Sequence, residues 1–274
     1  MDVSPGGSTR ITERSHGITA ITGNADRLTA LVMAEVEAAR DLGAENIDIV
    51  ADPALRGTRL IRLIERVSRG IGTGDVRIPA ERERVAASFL GATRPRQSLL
   101  GDPVAVALMG DDAVGIGVGT PGLEPSWIGS RPVGTVTISR KARFSDPPRP
   151  SQIEAAISGA IRKLDSLVVP SCGRLLATTD FSAVVERLCG TRITGDDARR
   201  GLEASFGQTS DDLAAWFGLE PGRSRFLTGT LVGIAALATV LEMPVEPVAH
   251  ASVAGRHWSD EYGRLVSAGG ESAS

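Results

Sequence analysis

Aromatic residues are scarce in this chain, with one tyrosine, three tryptophans and six phenylalanines among 274 residues. Single-stranded nucleic acid is held by stacking bases on aromatic faces, and so thin a supply argues against such a surface. An excess of either charge is also missing. Thirty Lys and Arg stand against 33 Asp and Glu, and a nearly balanced chain offers no whole-molecule attraction to a polyanion. No nucleic-acid partner is therefore expected. Cysteine is limited to Cys172 and Cys189, with no further ligands at metal-binding spacing. They read as two small thiols in a reducing cytoplasm. The N-terminus has no basic stretch followed by an apolar run, so no signal peptide is expected. The longest apolar stretch, Leu231 to Leu241, is too short to span a bilayer. It predicts a core helix, and no membrane partner is expected.

What is present is an ordinary globular composition. Apolar residues make up 42% of the chain and charged residues 23%, enough for one large core or two of usual size. The spacing predicts a helix from about Asn24 to Leu42, with Leu28, Leu31, Val32, Val36 and Ala39 at helical intervals and Gly43 beyond its end. A strand is expected from Asn46 to Ala51, then a helix opened by Pro53 and stopping near Gly70. A short strand at Val76 to Ile78 and a helix at Ala80 to Leu90 follow. Helices and strands in alternation favour a parallel or mixed sheet.

The pattern changes after Arg94-Pro95-Arg96-Gln97. Val104 to Met109 is a continuous apolar run, as in a central strand. Gly110-Asp111-Asp112 is a turn, Ala113 to Gly119 returns as a strand, and a third strand is expected over Val133 to Ser139. These predict an antiparallel meander. Ser151 is expected to cap a helix, with Glu154 completing its capping box. Helices are expected at Ser182 to Leu188, Thr194 to Phe206, Ser210 to Phe217 and Arg223 to Leu241, a strand at Val245 to Val248, and helix again from about Ala254. The first sixteen residues are polar and glycine-rich and are expected to fray.

Several local strings occur in a telling order. Ala38 to Glu45 is followed by Ala51-Asp52-Pro53-Ala54-Leu55-Arg56. Phe89-Leu90-Gly91-Ala92, Ser130-Arg131-Pro132-Val133-Gly134, Phe144 to Pro148 and Leu219-Glu220-Pro221-Gly222-Arg223 come later. This ordered set, from roughly residue 9 to 265, resembles the exopolyphosphatase/guanosine-pentaphosphatase (Ppx/GppA) family. The resemblance implies an α/β fold of actin-like, ribonuclease-H-like type, with two halves whose mixed sheets are flanked by helices. Residues 1–98 would form an N-terminally truncated first half and residues 99–274 the second. It also implies removal of terminal phosphate from polyphosphate or guanosine pentaphosphate, Mg²⁺ as cofactor if the chain is active, and a possible homodimer.

At the family's phosphate loops the residues depart from its pattern. Asp2 to Thr9 superficially matches the first loop, "DxGSNS", but only Met1 precedes it, so a flexible arm is expected. The second loop, "DIGGGSTE", corresponds to the Gly110 turn, where Asp111 and Asp112 stand in place of glycines. Two carboxylates repel an anion. They form either a solvated acidic turn or, with a divalent cation, a pair of metal ligands. The third loop, "GTGGTATTLA", corresponds to Leu176 to Ala183. Side chains there block close approach by a phosphate chain. Thr178, Thr179 and Ser182 retain hydroxyl donors, while Asp180 or Ser182 also suits a helix N-cap. The resemblance implies Arg56, Gly110, Thr178 and Thr179 as phosphate-binding residues and Glu83 as the remaining candidate base. A surface ion-pair helix explains Glu81-Arg82-Glu83-Arg84 equally well. His250 and His257 lie two helical turns apart but lack a third ligand. The expected function is a Ppx/GppA-like protein impaired in catalysis and acting as a binding or regulatory relative. The alternative is an active exopolyphosphatase or guanosine pentaphosphate phosphohydrolase.

Overall fold

The computed structural model describes residues 2–3, 9–10, 25–41, 43, 47, 49–50, 59–72, 76–93, 101–219 and 222–249. The chain divides into two compact units, residues 1–80 and 81–274. In the first unit, β1 (Asp2–Val3) pairs antiparallel with β2 (Thr9–Arg10). These positions are strand, where an unstructured arm was expected. Helix α1 (Ala25–Asp41) packs on α2 (Arg59–Ile71), and β3 (Ile49–Val50) runs parallel to β4 (Val76–Arg77). Val36, Ile61 and Ile64 are buried. Gly43 follows α1 at φ 83°, a conformation glycine adopts without a Cβ penalty. The start of the second helix at Pro53, the helix from Ala254 and the strings around them lie outside the described residues.

The second unit is organised on one five-stranded sheet, in the order β7-β6-β5-β8-β9. Its strands are β5 (Val104–Met109), β6 (Val114–Gly119), β7 (Trp127–Arg131), β8 (Arg174–Thr179) and β9 (Val245–Ala249). The first three form the expected antiparallel meander, and β5, β8 and β9 run parallel. The third meander strand is Trp127–Arg131, not Val133 to Ser139. Gly134 instead stands at the N-terminus of helix α4 (Thr135–Ala142). The alternating Val133, Thr135 and Thr137 suit a strand, but the helix gains partners for its first amides from the Gly110 turn.

Both faces of the sheet are covered, which explains why β5 is apolar throughout. Ala105, Ala107 and Met109 belong to the large core, with α4, α5 (Pro150–Leu164), α7 (Gly195–Ala204) and α9 (Leu227–Val240), which is buried from Leu227 to Ala238. Val104 and Val106 face the other way, toward Phe89 and Ala92 of α3 (Glu81–Thr93). Pro150 at the first turn starts α5 one residue before the expected cap. Gln152, not Glu154, then reaches back to the Arg149 amide, at 3.0 Å. Helices α6 (Ser182–Cys189) and α8 (Ser210–Phe217) complete the layer. Thr194 and Thr209 cap α7 and α8, each accepting from the amide of an aspartate three residues on. Among the described residues no helix is long and apolar enough to cross a membrane.

The face of β6 toward α3 is made of glycine. A Cβ at Gly115 would stand 2.2 Å from Val85 Cγ2, and one at Gly117 would stand 3.3 Å from Val85 Cγ1. Val85 is fully buried. The absence of side chains on this face lets α3 lie directly on the strand, bringing Glu81 and Arg84 close to the β5–β6 turn.

Candidate functional site

Ligands of parallel α/β sheets gather beyond the carboxyl ends of the strands. Here β5 and β8 end together, with Leu108 opposite Thr178. The Gly110 turn follows one strand and Thr179-Asp180-Phe181 ends the other, so two of the sequence-derived loops stand side by side. The carbonyls of the Gly110 turn are bonded to the start of α4. The Gly110 amide donates to the Ala113 carbonyl at 3.0 Å. The Thr135 amide donates to the Gly110 carbonyl at 2.9 Å. Val136 and Thr137 donate their amides to the Asp111 carbonyl at 3.0 and 3.1 Å. Gly134 donates to the Asp112 carbonyl at 3.1 Å.

The consequence is electrostatic. The first amides of a helix have no intrahelical acceptor and attract anions. In α4 those amides are consumed by the carbonyls of the turn. The approach is possible because residue 134 is glycine: a Cβ there would lie 2.3 Å from the Asp111 carbonyl oxygen. The Asp111 carboxylate faces the Thr135 hydroxyl at 3.5 Å. Asp112 is exposed, and its carbonyl also accepts from the Thr137 hydroxyl at 3.1 Å.

At the β8 end both threonine hydroxyls have partners within the chain. Thr178 is fully buried, and its hydroxyl shares a 2.7 Å hydrogen bond with that of Ser88. Thr179 is buried, and its hydroxyl accepts from the Phe181 amide at 3.3 Å. Neither Asp180 nor Ser182 caps α6. Phe181 holds the N-cap position without a side-chain cap bond, and Ser182 is the first helical residue. Asp180 instead pairs with Arg223, whose guanidinium lies 5.7 Å from the centre of the Phe181 ring.

Arg84 contributes the guanidinium beside this turn. A Cβ on Gly110 would lie 3.4 Å from Arg84 Nη2, and Arg84 Nη1 pairs with Glu81 at 3.2 Å. Glu83 is half-buried on the same helix. Among the described residues Glu81, Asp111 and Asp112 outnumber Arg84 around the turn, a balance that does not favour a phosphate chain. Among the described residues no group of three or more His, Cys, Asp or Glu could hold a metal ion; Asp111 and Asp112 are two carboxylates, and such a pair holds Mg²⁺ only together with water and substrate phosphate.

Three sequence-derived candidates, Arg56, His250 and His257, lie outside the described residues. The sequence reading missed the Ser88–Thr178 pair, the position of Arg84 over Gly110, and the role of Gly134. The alternating glycines of Val114-Gly115-Ile116-Gly117-Val118-Gly119 are a signal from which close helix packing could have been inferred. The cysteines are half-buried. Burial, and then the charge of Asp197, push the Cys189 thiol up to about 11. Burial also raises Cys172. Neither is set up as a nucleophile at neutral pH.

No protein-family model and no curated protein matches the chain. Solved structures do. The Ppx-GppA enzyme of Aquifex aeolicus superposes with a TM-score of 0.72 at 16% identity, over 94% of this chain and 93% of its own. An exopolyphosphatase from Cytophaga hutchinsonii gives 0.74 at 13% identity, over 87% and 82% of the two chains. An exopolyphosphatase-like protein gives 0.70 at 18% identity, over 84% and 80%. At such identities the likeness establishes the fold. The mixed α/β architecture expected from the sequence is the fold of the Ppx/GppA structures.

Proposed function

We propose that this chain is a divergent Ppx/GppA relative that has lost phosphoanhydride hydrolysis and acts by binding, as a regulatory or scaffolding protein. Such hydrolysis needs unoccupied donors for the phosphate oxygens, cations to offset developing charge and a carboxylate to direct water. The observation that carries the reading is that the first amides of α4, beside the carboxyl end of β5, are bonded within the chain. Four consecutive amides, Gly134 to Thr137, serve the carbonyls of the Gly110 turn. The Thr178 and Ser88 hydroxyls are bonded to each other at 2.7 Å.

The alternative is an active exopolyphosphatase or guanosine pentaphosphate phosphohydrolase with Glu83 as base. It rests on likeness of fold. Phosphate release from long-chain polyphosphate with Mg²⁺, comparing wild type with Glu83→Gln, separates the two. The proposal expects both proteins to match a no-protein control. Robust release by wild type that is lost in Glu83→Gln contradicts it.

A further inference from the structure

The opposite end of the same parallel strands is built differently. β8 begins at Arg174, and its next residues pair with the start of β9, Leu176 opposite Glu246. The segment Thr191-Arg192 between α6 and α7 lies beside them. It is fixed by Ile193, which exchanges two 2.8 Å backbone hydrogen bonds with Val245. Arg174, Thr191, Arg192 and Glu246 together line a concavity of about 410 Å³. That volume falls at the small end of ligand pockets.

The charges in this concavity do not cancel. Arg174 donates twice to Glu246, from Nε to Oε1 at 3.1 Å and from Nη2 to Oε2. The carboxylate is only 14% exposed, so the pair fixes the Arg174 guanidinium in place. Arg192 Nε reaches Glu246 Oε1 only at 4.0 Å, beyond hydrogen-bond length, and its side chain is 72% exposed. Two guanidiniums thus share one carboxylate. Each guanidinium carries five N–H donors. The Glu246 bonds occupy two of those on Arg174, and the Arg192 contact is too long to occupy any. A planar donor fork matches phosphate oxygens in pairs.

We infer that this concavity binds one phosphate group, of a small phosphate monoester, between the guanidiniums of Arg192 and Arg174 with the Thr191 hydroxyl as a further donor. The volume leaves room for a small organic body on the ester. Glu246 restricts the charge: it offsets one arginine, so the net positive charge left in the concavity is that of one guanidinium. The site lies at the amino ends of the strands and does not depend on the closed carboxyl ends.

Calorimetric titration with inorganic phosphate at constant ionic strength tests this. Wild type is expected to show saturable one-to-one binding. Arg192→Ala, at an exposed position, should weaken it at least tenfold, and Arg192→Lys should fall between, since it keeps the charge and loses the fork. Arg84→Ala, at the other end of the strands, should bind as wild type does. Acetate provides the second arm, and phosphate should bind at least tenfold more tightly. Absence of saturable phosphate binding, equal binding by Arg192→Ala, loss in Arg84→Ala, or acetate binding as tightly as phosphate would each overturn the proposal.

Discussion

The two ends of the parallel strands β5, β8 and β9 use their polar groups in opposite ways. At the carboxyl ends, amides meet carbonyls, Thr178 meets Ser88, and Arg84 and Arg223 are paired with Glu81 and Asp180. At the amino ends, Arg174 and Arg192 share Glu246 beside an open concavity. A ligand gains most from donors that are not already committed, because displacing an internal partner leaves that partner unsatisfied. Glycine marks where the chain packs on itself, at Gly115, Gly117 and Gly134. It is absent at Asp111, Asp112, Thr178 and Thr179, where a phosphate would need the backbone bare.

The largest expected effect comes from forcing the carboxyl-end turn apart. Gly134→Ala places a Cβ 2.3 to 2.4 Å from the backbone of Asp111 and Ala113. It should cost about 3 kcal/mol or more, given that overpacking costs about 1 to 3 and contacts with backbone cannot relax by a rotamer change. Urea unfolding reads this, and a loss below about 1 kcal/mol would mean that the turn does not close on α4. Next is Thr178→Val, which leaves the buried Ser88 hydroxyl without its partner and should cost about 1 to 3 kcal/mol. Adding Ser88→Ala to it should cost less than the sum of the two single changes. Strict additivity would remove the coupling claimed between them.

Arg223→Ala is expected to cost about 1 kcal/mol or less, since its pair with Asp180 is partly solvated. Part of that cost should vanish in 1 M salt, where screening is about 3 Å. The smallest effect concerns acid. Hydrogen bonds from Thr194 hold Asp197 below the usual carboxylate range, and those from Thr209 do the same for Asp212. A depressed folded-state value gives stability that is complete above the unfolded pKa of about 3.9 and is lost as pH falls through the folded one. Thr194→Ala and Thr209→Ala should therefore flatten the acid limb of the stability profile below about pH 4. An unchanged acid limb would show that the caps do not hold these carboxylates.

Much of the fold was legible because it depends on local pattern. The apolar run Val104 to Met109 gave a central strand, the periodicity of Leu28 to Ala39 gave α1, and the helix expected from Thr194 is α7, with Thr194 as its cap. The misplaced third strand shows the limit. Val133 to Ser139 has strand-like alternation, but its conformation is decided by carbonyls more than twenty residues earlier in the chain. The actual strand, Trp127–Arg131, carries little strand signal, since Gly129 leaves its place to the Trp127 ring. The candidate site was legible as a departure from a family pattern at Asp111, Asp112 and Thr178. That the first amides of α4 are occupied depends on contacts between distant segments, as does the meeting of Arg174, Arg192 and Glu246, and no local string encodes either.

Amide-resolved NMR tests the contrast most directly. Tripolyphosphate and inorganic phosphate would be titrated separately into the full chain, following the amides of Gly134, Thr135, Val136 and Thr137 against those of Thr191 and Arg192. The account predicts that the first group stays unshifted with either anion, while inorganic phosphate moves the second group to saturation. Saturable shifts at Gly134 to Thr137 would show that the carboxyl ends of the strands still hold phosphate, and would contradict it.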